Sequence, residues 1–347
     1  SDARKLCPDI QFVEARHHKY VERHHQLVGL VETCIHVDDV LSIDEMVCEL
    51  PLNWSAPDQA RRIAKKIKET IAREAGPYLR CSIGLAPNTF LAKTASDLEK
   101  PDGLVTIDLP DLPDCLHQLE LSDLCGVGRQ MESRLRENHI ETVAELCSAS
   151  KRDLRRVWGG VEGERMYDRL RGEEIPLPET RKTTVGHSHV LPPQERTPEL
   201  GYAVLNRLTQ KAAMRLRNMG YFAGGMQIKI GYFDQVKWSD DMNFLETQDT
   251  LEFIRVLDLL WQRNPYRQRK PLKVSVALYH LIHETNRTLP LFPQDNRRKD
   301  LNRLMDNLNT QFGKNTLYYG GAYGVLKSAP MRIAFHHIPD LDTESDE

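Results

Sequence analysis

LSIDEM, residues 41–46, sets two adjacent carboxylates, Asp44 and Glu45, inside a run (CIHVDDVLSIDEMVCEL, 34–50) that otherwise reads as buried strand. Two like charges side by side are costly to desolvate unless something positive is bound. On a regular strand they would also point to opposite faces, so both serve one ligand only if a turn or bulge lies there. Either the strand end is solvated or it holds a metal. Magnesium takes hard oxygens, one or two carboxylates together with phosphate oxygens. Asp38 and Asp39 lie nearby and read as a solvated strand end.

Outward from this pair, the chain alternates. RHHKYVERHHQLVGLVET (16–33) is helical, and its four histidines (His17, His18, His24, His25) read as a solvated face, with no acid or cysteine placed to complete a metal site. PDQARRIAKKIKETIAREAG is an amphipathic helix with Ile63, Ile67 and Ile71 on one stripe. RCSIGLAP reads as a buried strand, and NTFLAKTASDLEKPDG as a helix stopped by Pro101 and Gly103. Strand and helix alternate as in an α/β sandwich. Lys93 and Lys100 lie seven apart, two helical turns, and can face one side. Two ammonium groups beside a carboxylate-bound metal suit triphosphate chemistry, where developing charge must be neutralised.

Past residue 110 the composition changes. Two prolines in LPDLPDC mark a boundary, and short helices with glycine turns run to about 178. In LCGVGRQMESRLRENHI (124–140), Gly126, Val127 and Gly128 permit a tight turn that exposes backbone amides, and Arg129 opens the next helix, whose N-terminus favours phosphate. This is a helix-hairpin-helix pattern, a grip on nucleic-acid backbone independent of base sequence. IPLPETRKTT reads as a linker. Beyond it, helices at about 198–219 and 249–263 and strands in MQIKIGYFD and KVSVALYHLI make a small α+β domain. A helix RRKDLNRLMDNLNTQF and a β-rich end follow.

At 347 residues, two or three domains are expected. No run reaches the roughly 18 uncharged apolar residues of a membrane helix, and residues 1–25 lack a signal-peptide core; a bacterial cytoplasmic or nuclear-type setting, the former preferred, and a monomer are expected. The seven cysteines are scattered, never C-x-x-C, and read as reduced, packed thiols rather than disulfides or a zinc ribbon. Net charge is −3, but residues 181–337 carry 23 Lys/Arg against 13 Asp/Glu while residues 1–180 carry 24 against 32. A basic C-terminal half suits a polyanion partner.

SIDE (42–45), SIGLAPNTFLAKTASDLEKPDG (82–103) and LCGVGRQMESRLRENHIETVAEL (124–146), in that order and spacing, resemble the Y-family, or translesion, DNA polymerases. The resemblance extends over nearly the whole chain. It implies an α/β and α+β multidomain architecture: a partial palm to 110 (with the end of the fingers at 1–9), a helix-hairpin-helix thumb at 111–178, a DNA-binding little finger at 179–285, and a C-terminal extension at 286–347 with an acidic tail. LMDNLNTQFGKNTLYYGGAYG within that extension is similar to the polymerase V catalytic subunit type.

By position, Asp44 resembles the family's metal-ligating aspartate and Glu45 its adjacent catalytic glutamate, with two Mg²⁺ ions implied. Lys100 resembles the lysine that touches the incoming dNTP, and Gly126–Arg129 the thumb element on primer-template DNA. RTLPLF (287–292) is similar to a clamp-docking sequence, so Leu289, Leu291 and Phe292 are the implied sliding-clamp contacts, with Thr288 where glutamine is usual. The family opens with a strand bearing another metal-binding aspartate and an aromatic steric gate, then fingers with a tyrosine and an arginine. On this expectation some 60–70 residues precede Ser1, the sequence as it stands is incomplete for activity, and a palm sheet lacking that strand exposes a pairing edge. Thr89 replaces a common lysine and Met46 a common alanine. Two other functions fit parts of the pattern: a non-catalytic DNA-binding scaffold of the same family, which retention of Asp44, Glu45 and Lys100 argues against, and a helix-hairpin-helix glycosylase using Asp153, which instead reads as part of an exposed thumb helix.

Overall fold

The structure is a computed structural model that describes residues 2–13, 15–176, 183–288, 297–328, 330 and 338. The chain forms two compact units that divide near residue 178.

The first unit opens with α1 (Asp2–Leu6) and α2 (His17–Glu32), followed by a hairpin of β1 (Asp39–Val40) and β2 (Met46–Val47). The hairpin is antiparallel, pairing Asp39 with Val47 and Val40 with Met46. α3 (Pro57–Glu74) starts with proline in its first turn, where no amide needs a partner. Its Ile63 and Ile71 bury against Val31, Ile35 and Val37, and Ile67 packs at the margin of the same core. Each fully buried aliphatic side chain contributes roughly 1.5–3 kcal/mol.

β3 (Ile83–Leu85) and β4 (Leu104–Thr106) pair in parallel through the crossover helix α4 (Thr89–Leu98). The helix lies so close on the strand that a Cβ at Gly84 would stand 2.0 Å from the Ala92 carbonyl oxygen; only glycine fits. Among the described residues β1–β2 and β3–β4 are separate two-stranded sheets with no ladder between them.

The composition change near 110 lies inside this unit. α4 and β4 share one core with four short helices, α5 (Arg129–Glu137), α6 (Val143–Ser148), α7 (Lys151–Trp158) and α8 (Val161–Arg169). Leu91 and Ala95 of α4 bury against Leu121, Leu124, Val127, Leu135 and Leu170. Each short helix has a local stop or start. Thr142 and Glu145 form a capping box on α6, Ser150 caps α7, and Gly159 ends α7 at φ 76°. Asp153 is spent in that cap, accepting from Ser150 Oγ at 2.6 Å.

The second unit is a four-stranded antiparallel sheet in the order β5-β8-β6-β7, built from β5 (Thr184–Val190), β6 (Tyr221–Tyr232), β7 (Lys237–Thr247) and β8 (Pro271–His283). Two helices, α9 (Pro198–Asn218) and α10 (Thr250–Arg263), bury one side of it through Leu205, Leu208, Leu216, Phe253, Val256 and Leu260. β5 lies where the sequence suggested the linker's end, and β7 is an edge strand whose acids, Asp240 and Asp241, obscured it.

The segment at 297–328 packs into this same unit. α11 (Arg297–Phe312) is joined to α9 by Arg217, whose guanidinium meets Asp306 Oδ2 at 2.6 Å and Oδ1 at 2.8 Å. The Arg207 side chain donates to Ser328 O and Asn315 Oδ1, both at 2.6 Å, and Val325 enters the core. A β-rich end was expected after α11. Residues 313–328 contain only a 3-10 turn, Gly320–Ala322, because side chains of α9 rather than a sheet take up their backbone groups.

Candidate active site

Asp44 and Glu45 sit at the end of a hairpin, not within a strand. The loop 41–45 closes by hydrogen bonds from Leu41 N and Ser42 N to Glu45 O, at 2.9 and 3.2 Å. That turn answers the geometric objection: consecutive carboxylates leave opposite faces only of an extended chain. Ser42 Oγ donates to Asp44 Oδ1 at 2.6 Å and accepts from Asp44 N at 3.3 Å, so the hydroxyl orients the aspartate from both ends. Asp44 is exposed and Glu45 half-buried.

The other two acids stand elsewhere. Asp38 Oδ2 accepts from Glu49 N at 2.5 Å and Asp39 Oδ1 from Val40 N at 2.8 Å. Both close the open end of the hairpin rather than join the pair.

α4 supplies the positive side. Asn88 caps it through Leu91 N at 2.8 Å, and Glu174 Oε2 accepts from Thr89 N at 2.9 Å, so the helix start is held by groups on both sides of the chain. Lys93 Nζ lies 2.8 Å from Glu45 Oε1 and 2.9 Å from Asp97 Oδ2. Burial alone would lower the Lys93 pKa; its bonds to Glu45 and Asp97 outweigh that and hold it above the ordinary lysine value. Lys100 Nζ meets Asp97 Oδ1 at 2.6 Å and is more than half exposed. Lys93, not Lys100, is therefore the cation at the acidic hairpin, while Lys100 stands one carboxylate further out.

The turn carrying Lys100 is itself held from α3. Lys68 Nζ donates to Cys81 O, Asp102 O and Asp102 Oδ1 at 2.6, 2.9 and 2.6 Å. Lys68 carried no sequence signal beyond its place on an amphipathic helix.

The glycine turn lies close by, with the Cys125 thiol within electrostatic reach of Lys93, Glu45 and Asp97; burial pushes that thiol's pKa up first. Its lead-in is a single 3-10 turn, Leu121–Asp123, where a helix was expected. Gly126 has φ +83°, a conformation favouring glycine, whereas Gly128 is extended at φ −83° and caps α5. A Cβ at either would meet nothing within 4 Å. Gly126 N and Gly128 N find no acceptor among the described residues, and Arg129 is exposed. Val127 departs from expectation: its side chain is 3% exposed and its amide donates to Leu124 O at 3.0 Å. It anchors the turn rather than facing a ligand.

His24 is the residue that sequence reasoning missed. It is 4% exposed, not on a solvated face, and its Nδ1 lies 2.8 Å from Ile43 O in the acidic loop. No sequence pattern marks it among four histidines on one helix. The clamp-contact residues Leu289, Leu291 and Phe292 lie outside the described residues. Among the described residues no helix is long and apolar enough to cross a membrane.

Comparison with known proteins agrees with this arrangement. Residues 1–97 match the impB/mucB/samB family, residues 122–174 the thumb domain of DNA polymerase iota, and residues 182–291 the C-terminal domain of the impB/mucB/samB family. The chain is 29% identical to the DNA polymerase IV of Pelotomaculum thermopropionicum over 325 residues, which is 91% of this chain and 79% of that protein. It is 28% identical to the DNA polymerase IV of Moorella thermoacetica, covering 91% and 80%. Among solved structures, a Y-family polymerase chimera of Dbh and Dpo4 superposes with a TM-score of 0.66 at 21% identity, covering 81% of this chain and 82% of that one. Three domain matches in the order palm, thumb and C-terminal domain, relatives aligned over nine-tenths of the chain, and a shared fold make one conclusion: the chain belongs to the Y family of DNA polymerases.

Proposed function

We propose that this protein is an error-prone translesion DNA polymerase that extends a primer on a template by transferring nucleotides from dNTPs in the bacterial cytoplasm. The observation that carries this reading is the hairpin tip itself: Asp44 and Glu45 side by side, with Lys93 2.8 Å from Glu45. Relatives aligned over nine-tenths of this chain are named DNA polymerase IV, and one related structure is described as an insertion ternary complex of Dbh DNA polymerase.

Polymerases of this family depend on divalent metal ions, and the donor set fits Mg²⁺. Asp44 and Glu45 offer hard oxygens at an open loop, and no cluster of three or more His, Cys, Asp or Glu donors occurs among the described residues. Sites that share phosphate oxygens with substrate take one or two carboxylates. Two Mg²⁺ ions, when bound, activate the attacking oxygen and neutralise the leaving group.

The chain's own residues account for the rest. Ser42 aims the Asp44 carboxylate, and Lys93 holds Glu45 beside it. Lys100, exposed at the end of α4, reaches toward the triphosphate. The primer 3′ hydroxyl gives up its proton to solvent and its oxygen attacks the α-phosphorus; that P–O bond forms, the bond from the α-phosphorus to the oxygen bridging it to the β-phosphate breaks, and pyrophosphate leaves. Gly126, Gly128 and Arg129 present amides and a guanidinium to the DNA backbone, an interaction blind to base sequence. The segment 287–292 is proposed as a sliding-clamp tether.

Primer extension with the complete gene product tests the reading. Asp44→Asn is expected to reduce nucleotide incorporation by at least about a hundredfold with primer-template affinity unchanged. Undiminished synthesis by Asp44→Asn would overturn the assignment. Tight DNA binding with no incorporation by the wild type would instead favour a non-catalytic scaffold.

A further inference from the structure

The Ile43–Asp44 peptide is held at both of its polar ends. Its N–H, on Asp44, donates to Ser42 Oγ at 3.3 Å, and its C=O, on Ile43, lies 2.8 Å from His24 Nδ1. The loop's other backbone hydrogen bonds arise within the hairpin, from Leu41 N and Ser42 N to Glu45 O, as does the Ser42 Oγ bond to Asp44 Oδ1; Lys93 reaches the loop only at the side chain of Glu45. The bond from His24 comes from outside it, from α2, 19 residues earlier in the chain.

We propose that His24 is a positioning residue for catalysis: by bonding Ile43 O it fixes the peptide plane from which the Asp44 side chain departs. This rests on the polymerase reading of Asp44.

A carbonyl oxygen only accepts, so His24 Nδ1 carries the proton in this contact. Burial, the largest influence, holds the imidazole pKa below its ordinary value, while the bond to Ile43 O pulls the other way. Packing of α2 on the hairpin does not itself require a polar group here. Leu27, Val28, Val31 and Ile35 already meet Val40 and Met46 in an apolar core. A buried imidazole costs desolvation that an aliphatic side chain avoids. What it adds is a direction: the donor ends on one carbonyl, and that carbonyl's peptide carries the Asp44 amide. Rotation of this plane would swing the carboxylate, and a displacement near 1 Å at a reacting centre costs about a hundredfold in rate.

The test uses the complete gene product with His24→Leu, which keeps the bulk and removes the donor, and His24→Asn, whose amide nitrogen stands near the Nδ1 position. Two measurements are made on folded protein: steady-state incorporation, and hydrogen exchange of the loop amides. His24→Leu is expected to lower kcat about 10- to 100-fold, with KM for dNTP and DNA affinity within about twofold, and to speed exchange of the Asp44 amide about tenfold. His24→Asn is expected to restore both to within about threefold. Wild-type kcat and wild-type exchange in His24→Leu would overturn the proposal. So would losses that Asn does not restore, or losses that follow the melting temperature alone. Asp44→Asn is measured in parallel. If it is fully active, the active-site assignment has failed, and the exchange measurement still decides whether His24 holds the loop.

Discussion

Lys93 Nζ stands 2.8 Å from Glu45 Oε1, while Lys100, seven residues on, pairs among the described residues with Asp97. The two lysines therefore have separable duties. Lys93 holds Glu45, the proposed catalytic glutamate, and Lys100 is the lysine proposed to meet the dNTP. Lys93→Met is expected to lower kcat about tenfold or more with little change in KM. Lys100→Met is expected to raise KM for dNTP about tenfold with a smaller effect on kcat. Steady-state kinetics on the two variants separate these outcomes, and identical profiles would refute the division.

The glycines of the thumb turn should also separate. Gly126 has φ +83°, and a side chain there is strained by roughly 1–2 kcal/mol. Gly128 is extended, with open space around its Cβ direction. Gly126→Ala is expected to lower folding stability by about that amount. Gly128→Ala is expected to leave stability the same or raise it by up to about 1 kcal/mol, yet weaken primer-template binding, because a methyl group keeps a phosphate from the α5 amides. Urea titration and DNA affinity, measured together, check both.

Acidification should loosen the α4 cluster. Asp97 is raised by partial burial, but its bonds to Lys100 and Lys93 outweigh this and hold its carboxyl below the ordinary value of 3.8. With a folded pKa below the unfolded one, its contribution is fully present above the unfolded value and is lost as pH falls through the folded one. The melting temperature of the wild type is expected to exceed that of Asp97→Asn at pH 6, with the gap narrowing toward pH 3. A gap independent of pH would show that the ion pairs contribute nothing.

Arg217 joins α9 to α11 through a two-pronged contact with Asp306, each partner only about 15% exposed (14% and 16%). Its guanidinium also donates to Gln248 O and Thr250 Oγ1. Arg217→Met is expected to cost about 2–4 kcal/mol, since it strands a largely buried carboxylate. Loss of protection against proteolysis in residues 297–328, ahead of the sheet, would accompany it. An unchanged urea midpoint would show that the segment is held by apolar contacts alone.

Much of the local structure was legible in the sequence. The isoleucine stripe marked α3, Asn88 stood at the start of α4, and α9, α10 and α11 followed from periodicity. The acids at 44 and 45 could be singled out as a candidate site because a like-charged pair in an apolar run needs a reason. The edge strand β7 was not legible, since its outward face carries the acids and amides that also mark loops, and only its register against β6 makes it a strand. The burial of Val127 was not legible either, because the side chains that close over it, Leu124 and Leu135, belong to the packing of the unit rather than to the glycine spacing.

What the sequence by itself determined is the chemistry available: two adjacent carboxylates, lysines seven residues apart, a glycine turn opening a helix. Those follow from residue type and short spacing. Only the tertiary structure decided that Lys93 rather than Lys100 pairs with Glu45, that His24 leaves the solvated face of α2 to hold Ile43 O, and that residues 297–328 complete the second unit. Each of these is a contact between distant parts of the chain. Periodicity places a side chain on a face of its own helix; what that face meets is set by the packing of other elements against it.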